Sequence, residues 1–87
     1  MTPTVAIRIN QATRTASLVA CGNTFDSKDA YKAAGYAFDG ITWRFDAKTD
    51  AEIARAIVAA ADAGWTLLNA SDQPMPAAMI AGARARA

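Results

Sequence analysis

Apolar residues recur at every second position near the start of the chain. Val5, Ile7 and Ile9 follow this spacing, and the same period returns over residues 16–21. A period of two is typical of a strand with one buried face. The polar residues 10–13 suit a turn, so the pattern predicts an antiparallel hairpin.

A second hairpin is predicted around Asp39-Gly40, a dipeptide that favours tight turns between strands. A two-residue turn pairs Phe38 with Ile41, and directly opposed residues share a face of the sheet. One face then carries the ring-bearing residues and an isoleucine: Tyr36, Phe38, Ile41, Trp43 and Phe45. The opposite face carries Ala37, Thr42 and Arg44.

Helical patterns follow each predicted hairpin. A short helix is expected from about residue 28 to 34, with Asp26 or Ser27 as its N-cap and Gly35 after its end. A longer helix is expected over residues 50–63, because Thr49 and Glu52 have the spacing of a capping box. The short apolar run at residues 65–68 predicts a last strand.

This order, β-β-α-β-β-α-β, predicts an α+β fold in which two helices pack on one face of an antiparallel sheet. Residues 1–70 are expected to form a single domain. Residues 71–87 contain two prolines and then an alanine-rich run, which predicts a linker followed by a C-terminal tail or short helix.

The density of aromatic residues raises a choice between a core and a binding platform. Five of the seven aromatic residues lie within residues 31–45. Burying a large ring is worth roughly 4–6 kcal/mol at most, whereas stacking one nucleobase on an exposed ring gives about 1–3 kcal/mol. In an alanine-rich chain the core interpretation is therefore preferred, with Phe38, Ile41, Trp43 and Phe45 inside. A stacking platform and a hot spot for a partner protein remain alternatives.

If the rings face inward, the polar face of the sheet becomes the surface of interest. Arg8, Thr42 and Arg44 are expected on it, with Lys48 near its edge. Such a face is either ordinarily solvated or a contact surface for phosphate or an acidic protein patch.

Composition narrows the chemistry. The chain has no histidine and a single cysteine, Cys21, and its five glycines are isolated. These features argue against nucleophilic catalysis, a thiolate metal site and a phosphate-binding loop. We therefore expect no enzymatic activity, no cofactor and no metal. The opening MTPTVAIRIN lacks the pattern of a secretory leader, and no apolar run is long enough for a membrane span, which predicts a cytoplasmic protein.

The net charge of +1 argues against strong nonspecific binding to DNA, because such binding depends on many cations that neutralise phosphates. A local cationic patch is compatible with this balance.

One segment resembles a known module. The residues that carry the resemblance follow the pattern GNT(F/Y)–K–K–G–(W/F)D–W and are Gly22-Asn23-Thr24-Phe25, Lys28, Lys32, Gly35, Phe38-Asp39 and Trp43. The pattern resembles a small module of phage, plasmid and other mobile-element proteins. More distantly, it is similar to the HARP module next to annealing helicases, which engages branched DNA. The resemblance implies that Lys28 and Lys32 are cationic binding positions.

Together these features predict a non-enzymatic interaction protein of phage or mobile-element type. It would inhibit a host nucleic-acid-handling complex, as anti-CRISPR or anti-restriction proteins do, by occupying a binding surface. The expected partner-binding residues are Arg8, Lys28, Lys32, Thr42, Arg44 and Lys48.

Two alternatives belong to other classes. A module that binds DNA or RNA directly would use the cations Lys28, Lys32, Arg44, Arg84 and Arg86. A homodimer subunit would instead cover Met79 and Ile80 with a neighbour, and a monomer is equally compatible with the sequence.

Overall fold

A computed structural model describes residues 3–21 and 28–87. Its elements in chain order are β1 (Thr4–Asn10), β2 (Thr15–Ala20), α1 (Lys28–Ala33), β3 (Ala37–Phe38), β4 (Trp43–Ala47), α2 (Asp50–Asp62), β5 (Thr66–Leu68) and α3 (Ala77–Arg86). The predicted α+β class is confirmed. The expected N-cap at Asp26 or Ser27, and residues 22–25 of the resembling motif, lie outside the described residues.

The five strands form one sheet in the order β3-β4-β2-β1-β5. Neighbours are antiparallel except at one edge, where β5 runs parallel to β1 with Val5 beside Leu67. The helix α2 carries the chain from β4 across the sheet to the far edge, and a crossover of this kind returns a strand in the parallel direction. The sheet is therefore mixed and mostly antiparallel.

The hairpin of β3 and β4 has a longer turn than predicted. Phe38 pairs with Trp43, so residues 39–42 form the loop and the predicted pairing of Phe38 with Ile41 is wrong. The Asp39 carboxylate explains the change, because its Oδ1 accepts hydrogen bonds from the backbone N–H groups of Ile41 and Thr42 at 2.9 and 2.8 Å. An aspartate that binds amides two and three residues ahead stabilises a wider turn than Asp-Gly alone requires.

The start of α2 follows the sequence prediction. The Thr49 hydroxyl accepts a hydrogen bond from the Glu52 N–H at 3.1 Å, and the Glu52 carboxylate accepts one from the Lys48 N–H at 2.8 Å. The first bond satisfies an amide of the first helical turn, which has no acceptor within the helix, and the second ties Glu52 back to the residue before the N-cap. The helix then buries one stripe toward the sheet, formed by Ile53, Ala54, Ile57 and Ala60.

Four rings pack against one another, two of them buried and two partly buried, and we call this group the aromatic cluster: Tyr31, Tyr36, Phe45 and Trp65. Neighbouring ring centroids lie 5.3 to 5.7 Å apart, at angles between 44° and 76°. Tilted and edge-on contacts of this kind are the favoured geometries for aromatic pairs.

The core interpretation is confirmed for part of the predicted set only. Tyr36 is buried, and Phe45 and Trp43 are partly buried. Phe38 and Ile41 are instead 53% and 89% exposed, so placing them inside was wrong. The wider turn removes Ile41 from the sheet, and Phe38 packs on Trp43 near the tip of the hairpin, with ring centroids 5.4 Å apart.

The chain after β5 packs onto the same core. It turns back beside β5, where Leu68 and Pro74 form a bridge and the Met75 N–H donates to the Leu67 carbonyl at 2.9 Å. The helix α3 then lies against α2 and buries Ala83 completely. Met79 and Ile80, the residues considered for a dimer contact, are partly buried against the core of their own chain.

Two tyrosines of the aromatic cluster differ in what their hydroxyls contact. The Tyr31 hydroxyl accepts from the Thr4 N–H at 3.1 Å and donates to the Thr4 carbonyl at 3.0 Å. The buried Tyr36 hydroxyl has no hydrogen-bond partner among the described residues. Burial raises the pKa of both phenols.

We expect Tyr31→Phe to lower the free energy of unfolding by about 1 kcal/mol, because it removes two hydrogen bonds and leaves the Thr4 amide without its partner. Tyr36→Phe should leave that free energy unchanged or raise it, because it removes a buried polar group that bonds to nothing. Urea unfolding followed by tryptophan fluorescence measures both. Equal losses in the two variants would contradict this assignment of the hydroxyls.

Candidate functional site

The side of the sheet opposite the helices, here called the outer face, brings together side chains from three strands. Arg8 of β1 lies beside Ser17 of β2, and Ser17 lies beside Asp46 of β4. Arg44 is on the same face, because alternate residues of a strand point to the same side. The outer face is therefore a row of polar side chains, as the sequence predicted for Arg8 and Arg44.

Arg44 is held by hydrogen bonds on two sides. Its Nε donates to the Asp46 carboxylate at 2.9 Å, and its Nη2 donates to the Ser17 hydroxyl at 3.3 Å. The Ser17 hydroxyl in turn donates to Asp46 at 2.6 Å. The Asp39 carboxylate lies 3.7 Å from the other terminal nitrogen of Arg44. The guanidinium is thus fixed in place and its charge is compensated.

The same contacts keep the two carboxylates ionised. The Ser17 hydrogen bond, followed by those of Arg44, holds the pKa of Asp46 below its ordinary value. For Asp39 the main cause of a lowered pKa is the pair of backbone amides of Thr42 and Ile41, and Arg44 adds to it. A carboxylate that accepts several hydrogen bonds favours its charged form.

Arg8 is compensated in a similar way at the other end of the outer face. Its Nη2 lies 2.7 Å from the Asp72 carboxylate, in the loop after β5. Both side chains are substantially exposed, so this pair contributes little stability, on the order of 0–1 kcal/mol. The pair orients Arg8 more than it stabilises the fold.

The remaining predicted residues lie elsewhere or have structural contacts. The Thr42 hydroxyl donates to the Ala20 carbonyl at 3.0 Å and so joins the hairpin tip to β2. Lys28 and Lys32 are exposed on α1, and Lys48 is exposed just before α2. The structure therefore brings Arg8 and Arg44 onto one face and does not bring the three lysines there.

Of the two arginines considered for direct nucleic-acid binding near the C-terminus, one is also compensated. Arg84 contacts both oxygens of Asp62, at 2.6 and 3.4 Å, and so joins α3 to the end of α2. This contact lowers the pKa of Asp62. Arg86 is exposed in the last turn of α3.

Cys21 lies just after β2 and is partly buried. Burial raises the pKa of its thiol, and the nearby Arg8 opposes that effect without reversing it. A thiol with a raised pKa is a weak nucleophile near neutral pH, in keeping with a packing role.

Sequence reasoning missed the acidic half of the outer face. Asp39, Asp46 and Asp72 supply the partners of the two arginines, and Ser17 links Asp46 to Arg44. The alternation of residues along β4 already placed Asp46 beside Arg44. The contribution of Asp72 could not be read from the sequence, because it lies 64 positions from Arg8.

Acid should weaken the fold through these carboxylates. Because the pKa of Asp46 is lower in the folded protein than in the unfolded chain, its contribution is present above about pH 4 and is lost as the pH falls further. We expect Asp46→Asn to flatten the decline of the thermal midpoint between about pH 5 and pH 3. Scanning calorimetry across this range measures the difference.

Ser17→Ala is the matched variant, since it removes the hydrogen bond that contributes most to the lowered pKa of Asp46. It should flatten the profile in part, and adding it to Asp46→Asn should flatten the profile no further. Unchanged profiles in both single variants would contradict the proposed origin of the acid sensitivity.

Among the described residues, no group of three or more histidine, cysteine, aspartate or glutamate side chains is arranged to hold a metal ion. None of the described helices has the length and apolar character needed to cross a membrane. Comparison of the chain with known protein families, with curated proteins and with solved structures finds no significant match.

Proposed function

We propose that this protein is a non-enzymatic binding protein that docks the outer face of its sheet on a partner protein. The observation that carries the proposal is the state of that face, where Arg8 and Arg44 are exposed or partly exposed and are each held by carboxylates. A surface with charges of both signs in fixed positions suits recognition of a protein patch with the complementary arrangement.

The charge balance supports a protein partner over nucleic acid. Binding to a phosphate backbone gains free energy when cations displace condensed counterions. The guanidinium groups of Arg8, Arg44 and Arg84 already face carboxylates, which compensate their charge and would repel a phosphate bound beside them.

We further propose that the partner belongs to a host complex that handles nucleic acid, and that binding inhibits it as an anti-CRISPR or anti-restriction protein would. This part of the proposal rests on the resemblance carried by residues 22–45 and on the absence of catalytic motifs from the sequence. An inhibitor of this kind occupies a surface and needs no active site. The host cytoplasm is the corresponding location.

The outer-face arginines should control binding to the partner. We expect Arg8→Glu and Arg44→Gln to reduce retention of partner subunits on the immobilised protein by about tenfold or more, since unfavourable or unmatched charges at an interface are costly. The measurement is affinity capture from host lysate with quantitative mass spectrometry, followed by binding assays with the purified complex. Arg86→Glu, on the exposed last turn of α3, is the control and should leave retention unchanged.

Mobility-shift titration with DNA and RNA at two salt concentrations distinguishes protein docking from the alternative function, direct binding of nucleic acid. Tight binding that weakens steeply with salt and depends on Arg86 would contradict the protein-docking proposal. Thermal unfolding of each variant confirms that the fold is retained.

A further inference from the structure

A cleft lies at one end of the sheet, between the turn that joins β1 to β2 and the start of α2. Its volume is about 680 Å³. We call it the turn cleft, and the lining residues that matter here are Ile9, Arg14, Ala16, Ala47, Lys48 and Asp50. These residues belong to the turn, to the helix side of the sheet and to the beginning of α2, so the cleft is separate from the outer face.

Two cations line the turn cleft without an acidic partner. Within residues 3–21 and 28–87, neither Arg14 nor Lys48 has a carboxylate within ion-pair distance. Arg8, Arg44 and Arg84 each have one. Asp50 also lines the cleft, so its charged lining residues are two cations and one carboxylate. The cations that line the cleft therefore outnumber its carboxylates by one, in a molecule whose net charge is +1.

The backbone at Arg14 gives an independent observation. Its φ angle is +55°, in the left-handed region that residues other than glycine and asparagine rarely adopt. Asn10 stabilises the turn, because its side-chain oxygen accepts hydrogen bonds from the N–H groups of Ala12 and Thr13 at 3.1 and 3.4 Å. Folding of this turn would favour glycine or asparagine at position 14. Folding alone does not account for an arginine in this conformation. A binding role for its side chain would account for it.

The apolar part of the cleft narrows the class of ligand. Ile9 points to the helix side of the sheet, yet it is 59% exposed. Ala16 and Ala47 are paired on the same side, and both line the cleft. Inorganic anions and a nucleic-acid backbone would make no use of an exposed isoleucine, whereas a peptide with an apolar side chain beside a carboxylate would use both features.

We propose that the turn cleft binds an acidic, partly apolar peptide segment of a partner protein. Carboxylates of the segment contact Arg14 and Lys48, and an adjacent apolar side chain packs on Ile9. This interaction uses a different surface from the outer face and does not depend on the function proposed for that face.

The test is a titration of the full-length, ¹⁵N-labelled protein followed by NMR. The probes are a short blocked peptide in which leucine alternates with glutamate, the same peptide with glutamine in place of glutamate, and a single-stranded oligodeoxynucleotide. We expect the glutamate peptide to shift the backbone amide signals of Ile9, Ala16 and Ala47, and the glutamine peptide to shift them far less.

Variants separate binding from folding. Arg14→Asn keeps a residue that tolerates the left-handed conformation and removes the charge. It should weaken binding of the glutamate peptide about two- to fivefold while leaving the thermal midpoint unchanged or higher. Lys48→Gln should weaken binding by a similar factor, and the two factors should multiply in the double variant. Arg55→Gln removes an exposed cation outside the cleft and should leave the affinity unchanged.

Several results would overturn the proposal. Equal affinity for the glutamine and glutamate peptides would show that the cleft does not recognise negative charge. The absence of chemical-shift changes at millimolar glutamate peptide would show that the cleft does not bind such a segment. Unchanged affinity in the Arg14→Asn and Lys48→Gln double variant would remove the assigned contacts. Stronger, salt-sensitive shifts of the same amides by the oligonucleotide would assign the cleft to phosphate instead.

Discussion

Contacts within the aromatic cluster join four segments of the chain that are distant in sequence or separated by turns. Tyr31 comes from α1, Tyr36 from the segment before β3, Phe45 from β4 and Trp65 from the segment before β5. A fully buried ring removes about 150–250 Å² from water, far more than an alanine methyl group can, and Tyr31 and Tyr36 are both buried. The hydroxyl of Tyr31 also bonds the backbone of Thr4 in β1, so the cluster attaches the short helix to the sheet.

The fold could be predicted wherever local pattern and global packing agree. The alternation in β1 and β2 and the capping residues Thr49 and Glu52 gave elements that the structure contains. The hairpin after α1 shows the limit, because the side-chain bonds of Asp39 changed the length of its turn. That change moved Ile41 off the sheet, a result of one carboxylate that hydrophobic spacing cannot reveal. The direction of β5 depends on where α2 crosses, which is a property of the packed molecule.

The positions of the cations in the candidate site could be predicted from the sequence, but the carboxylates that surround them could not. Strand alternation placed Arg8 and Arg44 on one face, and the structure agrees. Whether a cation is available to a partner depends on nearby carboxylates, and Asp72 and Asp62 reach Arg8 and Arg84 from distant parts of the chain. The same reasoning explains why Arg14 was overlooked. It sits in a turn, outside any periodic pattern, and its surroundings appear only when the turn and α2 come together.

The segment that returns beside β5 has a consequence for how the sheet ends. Leu68 and Pro74 face each other between two flanking hydrogen bonds, so the backbone nitrogen of Pro74 points away from the sheet. Proline has no N–H, and this border consequently offers no donor at that position to a strand from another molecule. The opposite border is only two residues long. Both edges of the sheet therefore disfavour pairing with a strand of another molecule. Charged side chains on edge strands usually prevent such aggregation, and the strands of this protein carry few charges.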